Sequence, residues 1–153
     1  MIDRILKLLS GEDAFSSSAS PDSLQVAVAA LLVEAARMDD RFEEPERRTI
    51  ERLLTERFGL APDTAALLLR SAEAEVARST QLFPFTSLAV KRLDEAERAR
   101  VIEMLWEVAY ADGVLDPQED MLVRRIAGLI HVPDRARGEA RLRAIARLGI
   151  TPQ

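Results

Sequence analysis

The sequence predicts an all-α fold, a multi-helix bundle of about seven to eight helices with an internal pseudo-twofold repeat of three-helix units. Three observations predict it. Ala, Leu, Arg and Glu dominate while aromatic residues make up 5%, a composition that favours helix over strand. Apolar residues recur three and four positions apart between Pro/Asp starts and Gly or Asp stops, which is the helical period with its punctuation. One stretch of the chain also returns later in the same order. At 153 residues the chain is long enough for a single core and no second one.

The elements follow in order. Ile2, Ile5, Leu6 and Leu9 share a face of a short N-terminal helix. It docks on the bundle or lies in a membrane interface. The serine-rich stretch after Gly11 is a linker by composition, so residues 1–21 form a helix plus linker and 22–153 the domain. Leu24, Val28, Leu31, Leu32, Ala35 and Met38 mark an amphipathic helix to about residue 38. A second helix runs from about Glu44, with Pro45 in its first turn and Ile50, Leu53, Leu54 and Phe58 as its stripe, to Gly59. Pro62-Asp63 opens a third, carried by Ala65, Leu68, Leu69, Ala72 and Val76. Gln81 to Phe85 breaks the pattern, and a short helix from Ser87 to Leu93 links the halves. Val101, Ile102, Leu105, Val108 and Ala109 carry the next helix, closed by Asp112-Gly113. Asp116-Pro117 opens one with Leu122, Val123, Ile126, Leu129 and Ile130 apolar, and Val132-Pro133-Asp134 opens the last, anchored by Leu142, Ile145 and Leu148.

Leu32, Glu34, Ala36, Asp39 and Glu46 recur 73 positions on as Leu105, Glu107, Ala109, Asp112 and Glu119. The pairs Phe42/Leu115, Glu43/Asp116, Ile50/Val123 and Leu53/Ile126 keep that offset. Ala61-Pro62-Asp63 matches Val132-Pro133-Asp134 after a two-residue shortening. Units of about residues 22–79 and 95–150 are therefore expected to pack about a pseudo-twofold axis, because neither small unit can bury its own apolar stripe.

The repeat doubles one acidic corner. Asp39, Glu43 and Glu46 in the first copy, and Asp112, Asp116 and Glu119 in the second, place carboxylates in a helix–loop–helix turn. Such oxygens suit a hard divalent cation, Ca²⁺ or Mg²⁺, completed by backbone oxygens or water. The same residues also read as caps. Asp116 accepts from an orphan N–H, Pro117 sits in the first turn, Glu119 reaches back and Gly113 suits a left-handed cap. Arg41-Phe42 and Val114-Leu115 then act as apolar plugs holding each corner to the core. The spacing does not follow the D-x-D-x-D-G start of an EF-hand loop.

The run Glu107-Val108-Ala109-Tyr110-Ala111-Asp112-Gly113-Val114-Leu115-Asp116-Pro117-Gln118-Glu119, echoed from Glu34 to Glu46, resembles the TerB family, the bacterial tellurite-resistance TerB-like domains, over about residues 22–150. The resemblance implies an all-α bundle with internal pseudo-symmetry. It further implies a cytoplasmic role in tellurite or general stress response through partner proteins, some at the membrane. In that family the loop acids are suspected metal ligands, which here fall on Asp112, Asp116, Glu119, Asp39, Glu43 and Glu46. The first corner departs from the pattern, with Asp40 where the second has Gly113. Some TerB-like domains precede J-domains, but His131-Val132-Pro133-Asp134 does not have the His-Pro-Asp spacing.

Other chemistries have little to stand on. With no cysteine, disulfides, thiolate nucleophiles and cysteine-ligated clusters are excluded. A net charge of −5 disfavours nucleic acid. No apolar run approaches the roughly 20 residues of a membrane span, and the Ile2 to Leu9 stretch is too short, with Asp3 too early, for a secretory signal, so a cytoplasmic location is expected. His131 reads as a helix C-terminal residue and Trp106 with Tyr110 as packing. Arg135, Arg137, Arg141, Arg143 and Arg147 read as snorkelling stems of a solvated helix. The expected function is a non-enzymatic TerB-like module. A metal-assisted hydrolase on the same carboxylates is the alternative, and it needs the corners to converge in a pocket.

Overall fold

The computed structural model describes residues 23–38, 43–78 and 81–150. The N-terminal helix and serine linker, and Asp39 to Phe42 of the first corner, lie outside the described residues. Those residues form seven helices and no strand: α1 (Ser23–Ala36), α2 (Glu44–Phe58), α3 (Pro62–Arg78), α4 (Phe83–Arg92), α5 (Glu95–Ala109), α6 (Pro117–Leu129) and α7 (Asp134–Leu148).

Two of these helices are central. The sequence reading gave α1 a single apolar stripe, but the helix is buried on every side, with Ala29 and Ala30 as inaccessible as Leu31 and Leu32. Its neighbours explain this, because α2, α3, α4, α5 and α6 all pack against it. A helix apolar all round needs such complete cover, and its alanines let the covering helices approach closely. In the other half α5 packs against α7, α6, α2 and α1. It is buried without interruption from Val101 to Tyr110. Fully burying each Leu or Ile of these two helices contributes roughly 1.5–3 kcal/mol.

The covering helices bury one face each. On α2 and α3 the buried residues are those the spacing marked, Ile50, Leu53, Leu54 and Phe58, then Ala65, Leu68, Leu69, Ala72 and Val76. Gly59 ends α2 at φ 67°, where a Cβ would be costly. The Leu82-Phe83-Pro84 run is a helix start and not a break: α4 begins at Phe83 with Pro84 in its first turn, where a missing N–H costs nothing. In α7 the expected anchor Leu142 is 52% exposed, and the buried side chains are Ala140, Ala144 and Ile145. An alanine face allows α7 to sit close to α5 and turns its arginines toward that helix.

The end of α6 is closed by a Schellman motif. Val132 N–H donates to Ala127 C=O at 2.8 Å and His131 N–H to Gly128 C=O at 3.3 Å, with His131 in the left-handed region at φ 63°. Gly149 occupies the like position after α7. A histidine there carries a Cβ penalty that glycine avoids. His131→Gly is accordingly expected to raise stability by about 0.5–1 kcal/mol, seen as a higher urea midpoint at unchanged slope. A lower midpoint would show that the imidazole makes a compensating contact.

Candidate functional site

The turn from α5 to α6 is built by backbone geometry and two aspartates. Gly113, at φ 86°, sits in the loop three residues beyond the cap Tyr110 and donates its N–H to Tyr110 C=O at 2.8 Å. It is therefore a loop glycine and not the cap the sequence reading made of it. Asp112 Oδ1 accepts from Val114 N–H at 3.1 Å, and Asp116 Oδ1 accepts from Gln118 N–H at 2.7 Å, capping α6. Each aspartate leaves its Oδ2 outside these bonds. Asp112 is exposed, Asp116 half-buried and Glu119 buried. Of the supposed plugs, Leu115 packs against the core, whereas Val114 is 70% exposed. Met121 on α6 is 68% exposed.

At the first corner, Glu43 caps α2 and Glu46 Oε1 accepts from Glu43 N–H at 3.0 Å. Glu46 is buried, as Glu119 is. Among the described residues no three acids, histidines or cysteines stand together as a set for a metal ion.

The strongest concentration of charge lies elsewhere, at the junction of α2, α5 and α7. Glu107 is fully buried and Glu103 nearly so. Arg57, 7% exposed, donates through Nη2 to Glu103 Oε2 at 2.6 Å and Glu107 Oε2 at 3.2 Å. Arg143 Nε reaches Glu103 Oε1 at 2.8 Å, Arg147 Nη2 reaches Glu103 Oε2 at 2.8 Å, and Arg52 Nη2 reaches Glu107 Oε1 at 3.3 Å. Further along α7, Arg141 Nε donates to Tyr110 Oη at 2.9 Å, and Trp106 Nε1 donates to Arg137 C=O at 3.2 Å. Arg141, Arg143 and Arg147 are thus ligands of α5 and not merely solvated stems. The sequence carried a signal for this cluster, since Glu103 and Glu107 are the only polar residues between Val101 and Ala109.

The environment shifts two carboxylates in opposite directions. Burial alone would push Glu103 up, but hydrogen bonds from Arg143 and Arg57 and the charges of Arg57 and Arg147 outweigh it and hold the group below its ordinary 4.5. Glu34, half-buried on α1, is raised above 4.5 by burial, with Arg37 only partly opposing.

The fold and this turn define a class: an all-α domain wrapped on two central helices, with an acidic helix–loop–helix turn at the end of the second. The family model described as Tellurite resistance protein TerB matches residues 25–142. The chain belongs to the TerB family. No curated protein and no solved structure matches it.

Two measurements test the buried charges. Glu107→Gln takes from the buried Arg57 one of its two carboxylate partners, leaving Glu103, and is expected to cost about 1–3 kcal/mol in urea unfolding; a loss below about 0.5 kcal/mol would show that the cluster is easily rehydrated. The pH dependence has two signs. Glu103, depressed in the folded state, stabilises above its ordinary value, and that contribution is lost as pH falls through its folded value, so Glu103→Gln flattens the acid limb. Glu34, raised, opposes folding when charged, so Glu34→Gln is expected to stabilise at pH 7, with the gain shrinking toward pH 4.5.

Proposed function

We propose that this chain is a non-enzymatic module of a bacterial tellurite or stress-response system that works in the cytoplasm by presenting the α5–α6 turn to basic protein partners, some of them at the membrane. Membership of the tellurite-resistance family supports the setting. The observation that carries the mode of action is the makeup of that turn. Exposed Asp112 and half-buried Asp116 share the stretch from the turn into α6 with two apolar side chains standing in water, Val114 and Met121. Acid beside exposed apolar surface is what a docking face for a basic, partly apolar partner requires. Among the described residues no helix is long and apolar enough to cross a membrane.

The 73-residue repeat makes the first corner its counterpart. In support, each half packs its first helix on its second and third, α1 on α2 and α3 and α5 on α6 and α7, while α2 crosses to α5 and α6 crosses to α1. A second reading is cation binding by Asp112, Asp116 and Glu119, with Asp39, Glu43 and Glu46 as the other copy, for Ca²⁺ or Mg²⁺. It is favoured by the uncommitted Oδ2 atoms of Asp112 and Asp116. The hydrolase alternative has the corner acids converging in a pocket. Neither the crevice at Arg57 nor the cleft beside it is lined by them.

Val114→Asp/Met121→Asp is expected to lower tellurite tolerance to that of cells lacking the protein, while stability stays within about 0.5 kcal/mol. Undiminished tolerance would reject the docking face. Calorimetric titration with Ca²⁺, Mg²⁺ and Mn²⁺ separates the second reading. Heats abolished by Asp112→Asn/Asp116→Asn assign the turn to a cation; negligible heats in both proteins leave the acids as caps and docking groups.

A further inference from the structure

Beside the buried ion cluster an open cleft of about 330 Å³ is lined by Arg57, Ala96, Ala99, Arg100, Glu103, Arg143 and Arg147. Four guanidinium groups face one carboxylate on its walls. Glu107, bonded to Arg57 and close to Arg147, brings the acids to two, so the four arginines that line the cleft outnumber the acids they bond by two, in a chain whose net charge is −5. Glu97, one turn before Arg100 on α5, does not line the cleft, and its Oε1 accepts from Asp94 N–H at 2.8 Å.

The donors are not used up. Arg57 Nε is buried and meets no acceptor, which costs about 1–3 kcal/mol for a polar group left unsatisfied. Arg100 is half-buried and makes no hydrogen bond or ion pair among the described residues. Arg143 bonds Glu103 through Nε alone, which leaves both Nη groups. Ala96 and Ala99 line the cleft between them, so the free N–H groups of Arg100 and Arg143 border one space, while Arg57 Nε lies buried. Guanidinium forks match the oxygen spacing of phosphate-like anions in paired hydrogen bonds, and an excess of two charges matches a dianion.

We propose that this cleft binds a divalent oxyanion of the phosphate class, free or as the terminal group of an ester, between Arg57, Arg100, Arg143 and Arg147. The site is separate from the α5–α6 turn and does not depend on the function proposed for it.

The test is titration of the full chain with inorganic phosphate at low, matched ionic strength, followed by calorimetry and by the arginine side-chain NMR signals. Wild type is expected to bind one phosphate saturably. Arg100→Gln, which removes no internal contact, is expected to weaken binding roughly tenfold at unchanged melting temperature. Arg135→Gln, an exposed arginine paired with Glu139 away from the cleft, should bind as wild type does. Phenyl phosphate tells the sources apart: tighter binding than phosphate points to an ester, weaker binding to the free anion. Absence of saturable binding of both probes, equal affinity in Arg100→Gln, or acetate binding as tightly as phosphate would each overturn the proposal.

Discussion

Two apolar segments, helix α1 and the Val101–Ala109 part of α5, are buried on every side and set the terms for the rest of the structure. Neither is stable alone in water, because a short helix gains little from propensity and these expose apolar surface in every direction. Each must be covered, and the covering helices are arranged around that need: α3 and α4 lie on α1, α7 and α6 on α5, and the two central helices lie on each other. The outer helices can then remain half-polar, as α2 and α7 are, with arginines and glutamates on their outer faces. The short joint Leu93-Asp94 between α4 and α5 belongs to the same scheme. Half-buried Asp94 caps α5, with Glu97 N–H donating to its carboxylate at 2.8 Å, so two residues separate the end of α4 from the start of α5.

Against that background the carboxylates of Glu103 and Glu107 stand out as a cost. Two acids on the buried segment of α5 lose their hydration, and the pairing with Arg57, Arg52, Arg143 and Arg147 offsets that loss without guaranteeing net stabilisation. What the pairing does provide is geometry. The two partner helices, α2 and α7, must bring guanidinium groups to fixed points on α5, and a slip of α7 by half a turn would turn Arg143 and Arg147 away from Glu103 and leave it Arg57 as its one counter-ion. Trp106 and Tyr110 add the same demand one and two turns on, through Arg137 C=O and Arg141 Nε. The alanine face of α7 carries little positional information by itself, because small side chains slide past one another easily. Its register therefore rests on these directed bonds.

The sequence was most informative where side chains pack in one layer. Ile50, Leu53, Leu54 and Phe58 on α2 and the Ala65 to Val76 face of α3 were legible because a half-buried helix writes its orientation into its period. The caps at Asp116 and Gly59 were legible for a local reason, since the residue type follows from a backbone group or a φ value a few atoms away. Helix α1 was harder, as an element buried on all sides has no period to read. The two-sided role of α7 was invisible to periodicity: Leu142 carries the apolar signal but faces water, while Arg143 and Arg147 look solvated but reach a buried partner about forty residues away in the chain. Of the candidate acids, the capping of Asp116 could be derived from spacing. The exposure of Val114 beside it could not, because a β-branched residue next to a glycine reads equally well as a plug or as a tip.

Charge is segregated along α5, and its length decides whether the two ends interact. Arg100 and Tyr110 are ten residues apart on the same helix, about 15 Å at 1.5 Å per residue, and the acidic turn begins beyond Tyr110. Exposed charges that far apart lie beyond the screening length of roughly 8 Å at physiological ionic strength, so the arginine cleft and the acidic turn act as independent surfaces despite their opposite signs. Low salt alone would couple them. The helix between them is fixed by apolar cover from Val101 to Ala109 and by the Glu103 and Glu107 bonds. It therefore holds a basic cleft at one end and an acidic turn at the other at constant separation. A small domain with a single core can in this way present two oppositely charged faces without letting them collapse onto each other.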